Sequence, residues 1–403
     1  MTRLRNIFRR NWQLLLHWRE QLVFKEEAFH LVLAALVGFI GGLVNLFFFY
    51  AGEMVQRLFL PQPIDPVQAA EMFAPWQRLA VPTLGGLAAG LILYWGFRLV
   101  GPQGSSDLLE VVVAGDGRLP FRTETVKTAS ALVSIATGAS IGREGGITQL
   151  SATLASKLGQ IAKWPPYRLR LLVGCGAAAG ISAAYNAPIA GAVFASLIVL
   201  GNFSMNLFAP LVCASVVATM VSRSFFGIEP WYHVPPFPPI ASAQLPWFIV
   251  MGILCGGVSA LFMKFLRAAK QNFNLLSLPI YARLTLAGLA VGIVAAVGFP
   301  GVCGNGYFVT NAILHGDYKA ATGGFTQLGG LFFAKLLATA ITVGAGTVGG
   351  VFTPTMFLGA DAGALFAMTL HHFGCATGVR QARLRSWAWG RRWRARPNRR
   401  CWR

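Results

Sequence analysis

The sequence predicts an all-α polytopic membrane protein, and two properties of its 403 residues lead to that fold class. Hydrophobic residues make up 55% of the chain and charged residues only 12%, with a mean hydropathy of +0.57, which is typical of proteins that cross a bilayer several times. Apolar stretches also cover most of the chain between Leu31 and Leu370. Such stretches cross a hydrocarbon core of about 30 Å or lie in it as shorter, broken helices. They lie near residues 31–51, 78–100, 124–140, 146–160, 169–184, 187–201, 205–222, 246–266, 283–299, 327–343 and 351–370.

The amino-terminal segment predicts how the first stretch is oriented. Five arginines precede that stretch: Arg3, Arg5, Arg9, Arg10 and Arg19. The loop at 61–75 after it carries Asp65 and Glu71 and no basic residue. Because positively charged flanks stay on the cytoplasmic side, we expect residues 1–30 to be a cytoplasmic basic segment. The segment has no small-residue cleavage site, so the first stretch is expected to act as the insertion signal.

Two parts of the chain resemble each other in the same order. GLAAGLILYWG at 86–96 aligns with GLAVGIVAAVG at 288–298. GPQG at 101–104 aligns with GVCG at 301–304, and GASIGREGG at 138–146 has a counterpart in GAGTVGG at 344–350. Repeats of this kind often build a transport site from short, glycine-interrupted helices that meet near the middle of the bilayer. The similarity therefore predicts two related halves, although glycine-rich apolar helices also resemble one another by composition alone.

The second half is shorter than the first. About 55 residues of the first half follow GREGG, whereas only about 20 apolar residues follow GTVGGVFTP before the composition changes. Residues 376–403 contain ten arginines, four tryptophans and no acid, and so carry half of the net charge of +20. Our hypothesis is that this tail is a frameshift product. The rival hypothesis is a basic segment that binds anionic lipid.

Three glycine-rich segments predict a site for an anion. They are Gly104–Asp107, Gly142–Gly146 and Gly349–Pro354, and each precedes an apolar helix. Glycines allow the backbone to turn and expose N–H groups, and the start of the following helix adds its positive dipole end. Pro354 suits the first turn of such a helix, because its missing N–H is not needed there.

The ordered motifs resemble those of one family. GREGG (142–146), NAPIAG (186–191), GNGY (304–307) and GGVFTP (349–354) look like the motifs of the CLC chloride channel and transporter family, in its short bacterial ClcB-type branch. The resemblance runs from about residue 31 to residue 372. It implies a CLC-like inverted-repeat helical bundle with broken and re-entrant helices and a homodimer with one anion pathway per subunit. The first repeat would span about 31–201, and the second, incomplete, about 246–372.

The resemblance also implies roles for individual residues. Glu144 resembles the gating glutamate, whose carboxylate blocks an anion site until it is protonated. A carboxylate at a helix amino terminus does compete with chloride for the same N–H groups. The amides of Val351 and Phe352 match those that line the anion site, and Arg143 is expected to supply a local positive field. The full set of candidate anion-binding residues is Ser105, Ser106, Gly142, Arg143, Gly145, Gly350, Val351 and Phe352.

The chain departs from the family pattern at several positions. GSSDLLE stands where a GSGIP motif is expected, so either Ser105 or Ser106 is the candidate central serine. The inward glutamate of many exchangers is missing, because the candidate positions are Leu197 and Ile198. The family's pore tyrosine lies in the last helices, and no motif of those helices is found in this sequence. Tyr185 and Tyr307 do not match that tyrosine by motif, and we expect them to be ordinary packed or interfacial residues. Asp361 matches no motif, and we expect it to face water or a partner chain.

These patterns predict channel-like transport of chloride or similar small anions, gated by Glu144. The expected partners are the anion, the bilayer and a second subunit, with no nucleic acid and no cofactor. An enzyme is not expected, because none of the six histidines lies in a catalytic or metal-binding motif, and the six cysteines lie singly. Three alternatives stay open: a proton-coupled chloride antiporter, an inverted-repeat carrier for another solute, and a truncated product that transports nothing.

Overall fold

The computed structural model describes residues 26–60, 63–101, 108–113, 115–201, 203–229, 231–234, 242–318 and 323–373. Within these ranges the chain forms fourteen α-helices and no β-strand, which confirms the predicted all-α class. The helices are α1 Glu26–Gln56, α2 Pro66–Met72, α3 Pro75–Val100, α4 Leu108–Val113, α5 Phe121–Ala136, α6 Glu144–Ile161, α7 Pro166–Tyr185, α8 Pro188–Phe194, α9 Met205–Phe226, α10 Leu245–Leu275, α11 Ile280–Val297, α12 Tyr307–His315, α13 Gly324–Gly344 and α14 Phe352–His372. Residues 1–25 and the tail at 376–403 lie outside the described residues, and the domain boundaries drawn there stay predictions.

Each apolar stretch that the sequence predicts corresponds to a helix. Six helices in the described ranges are long and apolar enough to cross a membrane: Ala28–Gln56, Pro75–Val100, Leu207–Phe226, Leu245–Leu275, Ile280–Val297 and Gly324–Gly344. The other predicted stretches form shorter or more polar helices, as expected of broken helices at membrane depth. Three helices fall outside these stretches, because helices of six to nine residues are too short to give an apolar run or a clear periodicity. The short helix expected after Gly104–Asp107 is α4, whereas α2 and α12 were missed.

The chain divides into two compact units that alternate along the sequence. Of the described residues, the first unit comprises those within 26–49, 108–125 and 147–229, and the second comprises those within 50–101, 126–146 and 231–373. Helices α1, α5 and α6 each contribute residues to both units.

In the first unit, α7 is the central helix. Almost all of its residues from Leu169 to Ala184 are buried, and their small side chains allow neighbouring helices to approach closely. The amide of Asn45 on α1 donates to the carbonyl of Ala183 and to the hydroxyl of Ser222 on α9, both at 3.0 Å. Ser222 also donates to the Ala183 carbonyl at 3.1 Å. These polar contacts fix α1 and α9 against the end of α7.

In the second unit, α3 and α11 pack through glycines on both helices. A Cβ atom added at Gly86 or Gly90 on α3 would collide with the backbone of Leu284 or Tyr281 on α11. In return, a Cβ atom on Gly288 would collide with the Pro82 carbonyl group of α3, and one on Gly292 would lie 2.9 Å from the Leu79 Cα atom. The two helices thus present small-xxx-small patterns to each other, which lets their backbones touch. These patterns are the 86–96 and 288–298 segments of the sequence repeat.

This packing leads to the first prediction. Gly288→Leu should destabilise the protein, because its side chain has no space against the α3 backbone, and overpacking of this kind costs about 1–3 kcal/mol. Gly256→Leu on α10 is the matched control, since a Cβ atom there meets nothing within 4 Å. Thermal unfolding of both variants in detergent measures the difference. Equal melting temperatures would contradict the packing role of Gly288.

Candidate functional site

The GREGG and GGVFTP segments meet in the second unit through one backbone bridge. The N–H of Gly142 donates to the carbonyl of Gly350 at 2.7 Å, and the N–H of Gly350 donates to the carbonyl of Gly142 at 2.8 Å. Two reciprocal hydrogen bonds fix the register of these loops, so the residues that follow each glycine lie at constant positions. The helices that begin next are α6, at Glu144, and α14, at Phe352. The bridge therefore brings two helix amino termini together.

Glu144 lies at this junction with its carboxylate on the amino terminus of α14. Its side chain is only 3% exposed. One carboxylate oxygen, Oε1, accepts the backbone N–H of Thr353 at 3.0 Å, and the other, Oε2, accepts the Thr353 hydroxyl at 2.9 Å. The first N–H groups of a helix have no partner within the helix, and the positive end of its dipole favours a negative group. The carboxylate is thus held where an anion would be stabilised.

Glycines form the walls around this carboxylate. A Cβ atom on Gly142 or Gly350 would collide with the Glu144 carboxylate, and one on Gly145 would collide with the Gly350 amide. Any other residue at these positions would force the carboxylate or the bridge to move. Because the N–H groups of Gly142 and Gly350 already bond to each other's carbonyls, these two glycines contribute space at the carboxylate.

The structure places the other predicted site residues as follows. Val351 precedes α14 and Phe352 is its first residue, and both side chains are partly exposed. Pro354 lies in the first turn of α14, as the sequence predicts. The guanidinium carbon of Arg143 lies 4.3 Å from the centre of the Trp231 ring, a cation–π contact that directs the side chain onto an aromatic face. Ser105 and Ser106 lie outside the described residues.

The positions that the family pattern assigns to an inward acid carry exposed apolar side chains. Leu197 and Ile198 lie in a π-helical turn, Ala195–Val199, that continues α8. Their side chains are 55% and 54% exposed. No proton acceptor is therefore present at either position.

Two residues of the site were missed by the sequence. Thr353 is inside the GGVFTP motif, in the first turn of the helix. Because threonine hydroxyls at helix amino termini often form hydrogen bonds, this position was an available signal for a residue of the site. Tyr232 had no such signal, because it lies in a short loop 88 residues away from Glu144. Its hydroxyl oxygen is buried and lies beside the Thr353 side chain, although the pair lacks full hydrogen-bond geometry. Burial raises the pKa of the Tyr232 hydroxyl, and the nearby Glu144 charge raises it further.

A buried lysine supports the GNGY loop of the same unit. Lys335 on α13 is 0% exposed, and its amino group donates to the carbonyls of Val302 at 3.0 Å and Gly304 at 2.8 Å. Gly304 and Gly306 both have positive φ angles, of 64° and 84°, so the loop needs glycine at both positions. These contacts hold the loop that leads into α12.

An acid lies near this loop at the start of α2. Asp65 accepts the N–H of Val67 at 2.9 Å, as an N-cap residue does. Burial raises the pKa of the Asp65 carboxyl, while the Val67 hydrogen bond and the positive charges of Arg143 and Lys335 act in the opposite direction.

The expectation for Asp361 was wrong. It was expected to face water or a partner chain, but its side chain is 0% exposed within this single chain. It lies on the face of α14 that also buries Phe357, Leu358 and Met368, because helical spacing of three to four residues puts these positions on one side. Neither carboxyl oxygen has a hydrogen-bond partner among the described residues.

Comparisons with known proteins show what the chain is similar to. The family described as "Voltage gated chloride channel" matches residues 85–382. A ClcB-like chloride channel protein of Ralstonia nicotianae is 39% identical over 345 residues, covering 85% of this chain and 79% of the relative. A voltage-gated ClC-type chloride channel ClcB of Salmonella typhimurium is 33% identical, covering 83% and 79%. The crystal structure of a slow cyanobacterial Cl⁻/H⁺ antiporter superposes with a TM-score of 0.72 at 21% identity, covering 87% of this chain and 81% of that one.

Proposed function

This chain belongs to the voltage-gated chloride channel family, as its motifs predict, and we propose that it passes chloride or a similar small anion across the bacterial inner membrane with Glu144 as the gate. The family consists of multi-pass membrane channels and transporters and not of enzymes. The observation that carries the proposal is the Glu144 carboxylate on the amino terminus of α14, bonded to the N–H and the hydroxyl of Thr353.

The Glu144 carboxylate acts as a plug because it occupies hydrogen-bond donors that would otherwise bind an anion. A chloride ion that reached the start of α14 would need the same N–H and hydroxyl groups. Protonation of Glu144 removes the charge that these donors stabilise, so the side chain leaves and the donors become free for chloride. The plug is therefore expected to open as the pH falls.

The other site residues support this gate in different ways. The amides of Val351 and Phe352 are proposed to join Thr353 as donors, since they lie at the same helix start. Gly142, Gly145 and Gly350 leave the space that the carboxylate or the anion fills. Arg143 supplies positive charge beside the gate. The serine ligand, from Ser105 or Ser106, is proposed on the motif alone.

We also propose a homodimer whose amino terminus is cytoplasmic. The arginines at the amino terminus and the acidic loop after the first span support this orientation.

The transport mode is proposed to be channel-like, because apolar residues stand at Leu197 and Ile198 where an exchanger needs an inward proton acceptor. Purified protein in liposomes should then give a chloride current whose reversal potential follows the chloride gradient and ignores a pH gradient. A reversal potential that moves with the pH gradient would support the proton-coupled antiporter. Flux no greater than in empty vesicles, from correctly folded protein, would contradict anion transport, and flux of an organic solute would support the carrier.

Glu144→Gln should open the gate at neutral pH. The amide keeps the shape but not the charge, and a hydrogen bond to a charged group is worth about 1.5–3 kcal/mol, so chloride efflux at pH 7 should rise about tenfold or more and lose most of its pH dependence. Glu71→Gln, at an exposed acid of α2, is the matched control and should behave as the unmodified protein does. Efflux from Glu144→Gln that keeps the original pH profile would remove Glu144 from the gate.

Thr353→Val should weaken chloride binding once the plug is absent. In protein that already carries Glu144→Gln, loss of the hydroxyl removes one donor while the side chain keeps its shape, and the Kd for chloride should rise about 2–10-fold. Thr353→Ser keeps the hydroxyl and should stay within about twofold. Isothermal titration of chloride compares the three proteins. Equal affinities for the valine and serine variants would show that this hydroxyl does not bind the anion.

A further inference from the structure

A short loop in the second unit places two aromatic rings beside the gate, where they meet a third ring on α12. Trp231 and Tyr232 both pack edge-on against Tyr307 of α12, with ring centres 5.7 Å and 5.4 Å apart. Arg143, the residue before Glu144, lies on the Trp231 ring. We call Trp231, Tyr232 and Tyr307 the aromatic cover. Its contacts reach both the loop that carries Glu144 and the helix that follows the GNGY motif.

One side chain fixes the loop on both sides of Tyr232. The amide nitrogen of Asn311 on α12 donates to the Trp231 carbonyl at 3.2 Å, and its amide oxygen accepts the His233 N–H at 3.1 Å. Tyr232 is thus the residue between two anchored neighbours. A side chain held in this way is positioned before the gate needs it, which is how functional groups are supported by surrounding hydrogen bonds.

The Tyr232 hydroxyl then needs an explanation. Its oxygen is buried and makes no hydrogen bond of full geometry with the described residues, yet it lies beside the Thr353 side chain and close to the Glu144 charge. Buried hydroxyl groups without a partner are rare and costly. Thr353 already donates its hydroxyl hydrogen to Glu144, so its oxygen is able to accept a hydrogen from Tyr232. A small shift of the Tyr232 and Thr353 side chains would complete a chain of hydrogen bonds from Tyr232 through Thr353 to the Glu144 carboxylate.

We propose that Tyr232 is a positioning residue of the gate, whose hydroxyl donates to Thr353 and thereby strengthens the hold of Thr353 on the closed Glu144 carboxylate. Hydrogen bonds in such a chain polarise and reinforce one another. The inference rests on the proposed gating role of Glu144 and goes beyond it, since it assigns the strength of the closed state to a loop outside the glycine-rich motifs.

The charged and titratable groups around the gate are the same with and without the Tyr232 hydroxyl. Arg143 comes from the loop before α6, Tyr307 from the aromatic cover, and Asp65 from the start of α2, where it interacts with Arg143. Tyr232→Phe changes none of these groups and keeps the ring contacts. A change in the pH response of this variant therefore measures the effect of the Tyr232 hydroxyl.

The experiment measures chloride efflux from proteoliposomes between about pH 3.5 and about pH 8, a range that includes the ordinary pKa of a glutamate side chain, about 4.3. In Tyr232→Phe the closed carboxylate is held less tightly, so a lower proton concentration is enough to open the gate. The pH of half-maximal efflux should move upward by about 0.3–1 unit, and efflux at pH 7 should rise about 2–10-fold. In a Glu144→Gln background the same substitution should change efflux by less than about twofold.

A matched substitution and a second variant complete the test. Tyr94→Phe on α3, whose ring keeps its contacts with Trp95 and Tyr281, should leave the pH profile unchanged. Asn311→Ala releases both neighbours of Tyr232 without touching its hydroxyl, and it should move the midpoint in the same direction. Asn311→Ala therefore tests the role of Tyr232 if Tyr232→Phe fails to fold.

The outcomes separate the two proposals. If the unmodified protein has no chloride flux, or if Glu144→Gln leaves the pH profile unchanged, the proposed function fails and the role of Tyr232 fails with it. If Glu144 behaves as a gate but Tyr232→Phe matches the unmodified protein, only the role of Tyr232 is overturned. An equal effect of Tyr232→Phe with and without the Glu144 carboxylate would likewise overturn this role, because the hydroxyl would then act independently of the carboxylate.

Discussion

The contact on which the site depends is the carboxylate of Glu144 on the first turn of α14. It exists because the Gly142–Gly350 bridge aligns two loops that lie about 200 residues apart in the sequence and because neither glycine has a side chain to occupy the space. A helix amino terminus in an apolar surrounding is a strong position for a negative group, since little water competes for its N–H groups. Every other element of the site either shapes this position or supports the residues that form it.

Among the described residues, the buried charged side chains of the second unit follow one rule with one exception. Glu144 is satisfied by Thr353, and Lys335 is satisfied by two backbone carbonyls, as the cost of burying such groups requires. Asp361, on the same helix as Thr353, has no hydrogen-bond partner among the described residues. Burial of a carboxyl group without a hydrogen-bond donor disfavours its charged form. The helix that binds the Glu144 carboxylate at one end thus also buries an acid that has no hydrogen-bond partner among the described residues.

The sequence predicted the helices, the motifs and the meeting of GREGG with GGVFTP, because all of these depend on local composition and on a repeat that two halves share. It did not predict Thr353 as the direct partner of Glu144, because the motif alone does not say which donor of the first turn faces the carboxylate. The sequence pattern could not reveal the roles of Tyr232, Asn311 and Lys335 for a different reason. Each acts through contacts with segments distant in sequence, and a single tyrosine or lysine has no periodic pattern to reveal it.

The shared donors also link gating to permeation in the proposed function. When the carboxylate leaves, the Thr353 N–H and hydroxyl lose their hydrogen bonds to Glu144. A buried donor whose hydrogen bond is not replaced costs about 1–3 kcal/mol. A chloride ion that arrives at the same moment offsets this cost. The open state is therefore stabilised by the ion that it conducts, and opening should become easier as the chloride concentration rises. A plug held by separate groups would have no such dependence, so the coupling follows from the position of Glu144 on the anion's own donors.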